Sequence, residues 1–299
     1  MTIIVTDQNN QSVDIAHLGF SGGERHVQLT HLHSGVSTFL TVPSKLTIRA
    51  RLHTADDLFD LLLTENALVE AFGNLPIDIE VPYLPYARQD RVCAPGQAFS
   101  LAVMARVLGP ATPTRRIAVW DCHSTVGIDL TGATNVNASD VVLSHPALRD
   151  LIQQPNTVLV CPDKGARSRC QHMASALGEV PLVYCEKVRD PKTGRISGVS
   201  VSVDNLAGKT AVITDDICDG GMTFIKIAEQ LRANQVEKII LFATHGIFSK
   251  GLDVFNGLIY HVYTTNSFPQ TADPRLTCIN YEYDFNTPNT APSHINERR

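Results

Sequence analysis

AVITDDICDGGMTFIKIA, residues 211–228, is the stretch that decides how this chain folds. An apolar run delivers Asp215 and Asp216, and a tight turn, Asp219-Gly220-Gly221-Met222-Thr223, opens directly into a helical pattern. A strand that ends in polar residues and turns at once into a helix is the repeating unit of a parallel α/β sheet, and such sheets hold ligands beyond the carboxyl ends of their strands. Glycines let the backbone approach an anion closely. The helix N-terminus adds free N–H donors and the positive end of its dipole. The paired carboxylates just before the turn can accept hydrogen bonds from two sugar hydroxyls, so diol and phosphate recognition lie one sugar apart. A plainer account, in which Asp219 caps the helix and the glycines only make a turn, uses the same residues.

Outward from this segment the alternation repeats. GKTAVITDD and KIILFATHG read as strands around the helix FIKIAEQLRANQ; before them come the strand NTVLVCPD, the helix ARSRCQHMASALG and the strand LVYCEKV. An earlier run has the strand IDIEVPYL, the helix SLAVMARVLG ending at Gly109, and the strand RIAVWD. Two successive runs of strand and helix predict two α/β domains with mainly parallel sheets, joined near Ala138 to Leu148. The boundaries expected are 1–140 for the first domain, 141–286 for the second and 287–299 for a polar tail.

Composition narrows the function. A chain of 299 residues, 43% hydrophobic and 18% charged, has apolar material for two interiors. A net charge of -5 gives no general attraction to nucleic acid or to an anionic membrane, so any anion must be bound by placed cations and backbone N–H groups. No apolar run approaches the roughly 18 residues a membrane helix needs. Seven scattered cysteines without a C-x-x-C pair predict reduced thiols, a cytoplasmic setting and no zinc site. The opening residues read as a short strand rather than a signal peptide.

Several strand ends carry chemically useful residues: Tyr86 to Asp90, Asp121-Cys122-His123, Pro162-Asp163-Lys164-Gly165, Glu186 to Arg189 and Asp215-Asp216. Lys187 and Arg189 stand two apart in an extended segment and so share a face, from which both could reach one transferring phosphoryl group. The polar loop after them, residues 190–195, suits closure over a substrate, although a solvated charged hairpin would read the same way. The segment 211–228 resembles the phosphoribosyl-diphosphate motif of type I phosphoribosyltransferases and phosphoribosyl-diphosphate synthetases. YLPYARQDR (residues 83–91), DCHS (121–124), PDKGARSR (162–169), EKVRD (186–190) and ATHGIFSKG (243–251) are similar, in this order, to further motifs of the synthetases. The resemblance runs from about Phe20 to Thr265.

That resemblance implies two tandem phosphoribosyltransferase-type, doubly wound domains and a Mg²⁺-dependent transfer of the β,γ-diphosphate of ATP to the 1-hydroxyl of ribose 5-phosphate, leaving AMP. Phosphoryl transfer needs positioning and charge neutralisation more than covalent help. The catalytic residues implied are Lys187, Arg189 and His123. ATP would be held by Arg88, Gln89 and Asp90, with Phe20 and Glu24 completing the adenine pocket of a neighbouring subunit in a homo-oligomer. Asp215, Asp216, Asp219, Gly220, Gly221, Met222 and Thr223 would bind the ribose and its phosphate, and Asp163, Lys164 and Gly165 the diphosphate. His123, Asp163 and Asp215 are the implied metal-side groups. The other histidines, such as His31, His33 and His172, read as structural.

Departures from the family pattern bear on the acceptor. Gly220 stands where a hydroxyl residue is usual, Met222 and Ala166 where glycines are usual, and Gly22 where a polar residue is usual. Losing a hydroxyl at position 220 removes a donor and opens space, and Met222 adds an adaptable apolar surface. A ribose whose 5-phosphate is further substituted, such as ADP-ribose, is therefore a second acceptor, and its 1-diphosphate would serve NAD synthesis. A non-catalytic regulatory relative should have lost His123, Asp163, Lys187 or Arg189; all four are present. A phosphoribosyltransferase would need only one such domain and no nucleotide segment at Arg88.

Overall fold

The computed structural model describes residues 3–30, 43–189, 196–203 and 205–286, without the side chains at 187–189 and 196–199. The expected tail, 287–299, the loop 190–195, and His31 and His33 lie outside the described residues. In chain order the strands of the first half are β1 (Ile3–Asp7), β2 (Ser12–Val13), β3 (Ile15–Gly19), β4 (Arg25–Leu29), β5 (Leu46–Ala50), β6 (Ile77–Glu80), β7 (Arg115–Trp120) and β8 (Thr134–Val136). Its helices are α1 (Ala55–Phe72), α2 (Ser100–Leu108) and α3 (Thr125–Thr131). Six strands form one sheet in the order β2-β1-β5-β6-β7-β8, parallel from β5 to β8, while β3 and β4 make a separate antiparallel hairpin.

The second half contains α4 (Ala138–Leu143), α5 (Pro146–Ile152), β9 (Thr157–Cys161), α6 (Arg167–Ala176), β10 (Leu182–Arg189), β11 (Ile196–Val201), β12 (Thr210–Cys218), α7 (Met222–Ala233), β13 (Lys238–Gly246), β14 (His261–Thr265) and β15 (Leu276–Ile279). Its seven-stranded sheet runs β11-β10-β9-β12-β13-β14-β15 and is parallel throughout except for the β10–β11 hairpin. The two mainly parallel α/β sheets bear out the expected fold class.

The burial pattern explains these elements. All five residues of β9 are buried, as are eight of the nine in β13, because helices cover both faces of a parallel sheet. Helix α7 turns Phe224, Ile227, Ala228 and Leu231 inward at helical spacing. Each large side chain among them contributes about 1.5–3 kcal/mol by leaving water. Helix α1 starts at a Thr54–Asp57 capping box. The stretch expected to join the halves is itself helical: Ala138, Val141, Val142, Leu148 and Ile152 of α4 and α5 belong to a core with Leu159 and Val212 of the second sheet. The segment 281–286 returns to the first sheet, where Phe285 is buried with Ala118, Trp120 and Val136.

Candidate active site

The site lies where strand ends of the two sheets face each other. Strand β7 ends at Trp120, and Asp121 follows in the left-handed region, with φ 39°. A non-glycine residue there is held against its preference. Here the Asp121 N–H donates to Val136 O at 2.7 Å, and its side chain accepts from Arg169 Nε at 2.7 Å and Thr244 Oγ1 at 2.7 Å. Next, the Cys122 N–H donates to Asn135 Oδ1 at 2.8 Å. Helix α3 can lie close behind only because position 127 is glycine: a Cβ there would come within 2.8 Å of both Cys122 Sγ and Leu84 Cδ2. These constraints aim His123 across the seam.

On the far side, β12 presents Asp215 and Asp216. His123 Nδ1 stands 2.6 Å from Asp216 Oδ2. The hydrogen bond to Asp216 raises the His123 pKa. Burial alone would raise the Asp216 carboxyl, but the His123 hydrogen bond and the Arg169 charge outweigh it and hold it below the usual carboxylate range. Asp215 moves the other way, raised by burial and by its charged neighbour Asp216. Arg169, reaching from α6, binds all three acids: its Nη1 is 3.3 Å from Asp215 Oδ1 and 3.5 Å from Asp216 Oδ1. The three carboxylates keep it protonated despite its burial.

Between these groups lies a cavity of about 640 Å³, lined among others by Asp90, His123, Asp163, Gly165, Asp215 and Asp216. Asp163 opens the loop into α6, where its Oδ1 accepts from the N–H of Gly165 at 2.9 Å and of Ala166 at 3.2 Å. Asp90 forms a bidentate pair with Arg91, which brings its pKa down to about 2. Sequence reasoning assigned no role to four residues that bear on the site. Arg169 and Thr244 both donate to Asp121 and hold it in place, and His172, expected to be structural, lines the cavity.

The turn expected to receive the sugar phosphate, residues 219–223, follows Asp215 and Asp216 in the chain but does not itself line this cavity. Gly221, at φ 77°, caps α7 without a side-chain hydrogen bond, so the first-turn N–H groups stay available. Asp219 is thus not the helix cap; its Oδ2 stands 3.5 Å from Arg88 Nη1 and links the turn to the segment expected to hold adenine. Met222 and Thr223, the first residues of α7, are exposed, Met222 by 60%. Gln89 and Lys164 are exposed as well. Phe20 and Glu24 lie at the β3–β4 turn and do not line the cavity; Phe20 is 58% exposed. The backbone of Lys187 and Arg189 continues β10, but their side chains lie outside the described residues. Among the described residues no three acidic, histidine or cysteine side chains converge to hold a metal, so His123, Asp163 and Asp215 share a cavity without forming a ready-made cluster. Nor is any described helix long and apolar enough to cross a membrane.

Comparison with known proteins gives consistent results. The family model of the phosphoribosyl transferase domain matches residues 144–254. The ribose-phosphate pyrophosphokinase of Pyrococcus abyssi is 30% identical over 267 residues, covering 88% of this chain and 86% of the relative. That of Thermococcus kodakarensis is 31% identical over 215 residues, covering 72% and 74%. The crystal structure of the phosphoribosylpyrophosphate synthetase from Mycobacterium smegmatis superposes with a TM-score of 0.71 at 24% identity, covering 89% of this chain and 85% of that one, and is a likeness of fold.

Proposed function

The chain belongs to the ribose-phosphate pyrophosphokinase family of diphosphotransferases, and from that premise we propose that it transfers the β,γ-diphosphate of ATP to the 1-hydroxyl of ribose 5-phosphate, releasing AMP. The observation that carries this reading is the convergence of the His123–Asp216 pair, the Asp163 loop and the acidic end of β12 on one cavity between the sheets. In this reading the α7 turn receives the sugar phosphate, Asp215 and Asp216 orient the ribose hydroxyls, and the 162–166 loop receives the diphosphate. Arg88, Gln89 and Asp90 hold the nucleotide.

The His123 Nδ1 is engaged by Asp216, which leaves Nε2 to donate to a phosphate oxygen. A histidine with a raised pKa suits that role better than metal ligation, which needs the neutral ring. Mg²⁺ takes oxygen ligands, keeps several waters and is commonly held by one or two carboxylates plus substrate phosphates. Asp163 and Asp215 fit such a set, and the cation would neutralise charge on the transferring group. Lys187 and Arg189 supply further positive charge there. An exposed Phe20 at the β3–β4 turn, outside its own cavity, favours a homo-oligomer in which that hairpin completes a neighbour's site. The setting proposed is the cytoplasm, in keeping with free thiols at all seven cysteines.

A second acceptor, ADP-ribose, is favoured by one feature: Gly220 brings no side chain into the turn, where a Cβ would meet Lys250 Cγ at 3.8 Å, and Met222 offers an exposed apolar surface beside it. Its product would be the 1-diphosphate used for NAD synthesis. AMP release from Mg-ATP, with ribose 5-phosphate and ADP-ribose supplied separately at equal concentration, tests both. Faster AMP formation with ribose 5-phosphate supports the main reading, faster formation with ADP-ribose the second, and AMP with neither contradicts both.

A further inference from the structure

Strand β13 ends at Gly246, and the chain then turns back along the end of β12. The N–H groups of Ile247 and Phe248 both donate to Cys218 O, at 2.9 and 3.1 Å, and the Gly251 N–H closes the turn on Phe248 O at 2.8 Å. Phe248 takes a left-handed conformation, φ 47°, to make this bend, and its ring lies so close over Gly246 that a Cβ there would collide with it. Residues 247–251 are therefore fixed beside the phosphate turn. Lys250 is the neighbour of Gly220: a Cβ at position 220 would sit 3.8 Å from Lys250 Cγ, an ordinary van der Waals contact. Gly221, by contrast, backs onto Phe255 and Val254. The acid of the turn, Asp219, is engaged by Arg88. Lys250 is exposed and forms no ion pair among the described residues.

We propose that Lys250 is a substrate-binding, specificity-determining residue that pairs with the phosphate on the sugar acceptor; this rests on the function proposed above. A phosphate monoester close to a dianion rewards charged donors, and a lysine ammonium supplies three of them as a compact point charge. With glycine at 220 the turn offers backbone N–H groups and the exposed Thr223 hydroxyl but no cation, and Lys250 adds that charge from the adjoining loop. The residue belongs to acceptor recognition and not to the nucleotide side.

Steady-state kinetics of the full-length chain test this. Lys250→Gln should raise the KM for ribose 5-phosphate about tenfold or more and leave the KM for Mg-ATP within about twofold, as loss of one charge-assisted contact to the acceptor requires. Lys250→Arg should recover most of the loss. A KM for ribose 5-phosphate within about twofold of wild type in Lys250→Gln would overturn the assignment while leaving the proposed reaction standing. If the wild type forms no AMP with any ribose phosphate, the proposed reaction fails, and calorimetric titration with ribose 5-phosphate then decides Lys250 separately. Weaker binding by Lys250→Gln supports it; equal binding, or none by either protein, overturns it.

Discussion

Arg169 places one guanidinium against Asp121, Asp215 and Asp216 with 15% of its side chain exposed. Removing it leaves Asp121 buried without its cation and Asp216 with His123 alone, and breaking a buried ion pair in this way costs about 3–5 kcal/mol. Arg169→Ala should lower the urea unfolding free energy by that amount, and Arg169→Lys should recover only part, since an ammonium cannot reproduce the planar fork. A loss below about 1 kcal/mol would mean that the acids rearrange or take up protons instead. On the catalytic side, Lys187→Ala should lower turnover by orders of magnitude with little change in ATP binding, checked by single-turnover kinetics and nucleotide titration; a near-normal rate would remove Lys187 from the mechanism. Asp215, Asp216 and His123 were legible in the sequence because each follows an apolar run that had to be a strand. Arg169 was not: its motif was visible, but its partners lie 48, 46 and 47 positions away and only the fold brings them together.

The turn into α7 shows what one element demands of its residues. Gly221 sits at φ 77°, and a Cβ there would come within 2.8 Å of Phe255 Cζ. Gly221→Ala combines backbone strain with overpacking and should cost about 1–3 kcal/mol in thermal or urea unfolding. It should also weaken ribose 5-phosphate binding more than ATP binding, because the shifted N–H groups belong to the turn proposed to receive the sugar phosphate. Unchanged acceptor binding would take the turn out of the site. Strands β6, β7, β9, β12 and β13 and helices α2, α6 and α7 were legible from short apolar runs and their glycine or polar ends. Less visible were α4 and α5, whose residues looked like a join between domains. Their burial depends on contacts with Leu159 and Val212, which no local pattern contains. The hairpin strands β3 and β4 mix polar and apolar residues and are fixed by pairing with each other and by the Arg25–Asp60 ion pair to α1.

At the scale of the molecule, the segment 281–286 is fastened to the first sheet through Glu80. Its carboxyl accepts from Trp120 Nε1 at 2.9 Å and from the Tyr283 N–H at 2.7 Å, while Arg49 Nε stands 3.0 Å from Oε2 without hydrogen-bond alignment. Burial pushes Glu80 up to about 7, although the Tyr283 N–H, Arg49 and Trp120 all pull the other way. A carboxyl raised in the folded state holds a proton that the unfolded chain has released above about 4.5, so its contribution to stability falls as pH rises toward 7. The gap corresponds to about 3 kcal/mol in all. Urea unfolding at pH 5 and pH 8 should therefore show the wild type losing up to this much more stability than Glu80→Gln; parallel curves would contradict the assignment. The two-sheet plan was legible from the repeated alternation of strand and helix, whereas the return of the segment 281–286 to Trp120 and the fixing of the seam by buried His245, which contacts Trp120 O and Ser267 Oγ, rest on distant residues. The seam matters because the proposed chemistry needs both halves to act on one diphosphate. The most direct test of that claim is to follow ATP carrying separate labels in its α- and γ-phosphates during turnover with ribose 5-phosphate. Transfer of two phosphates as a unit predicts the γ-label in the ribose product and the α-label in AMP; a γ-label in inorganic phosphate, or in a ribose bisphosphate formed alongside ADP, would contradict it.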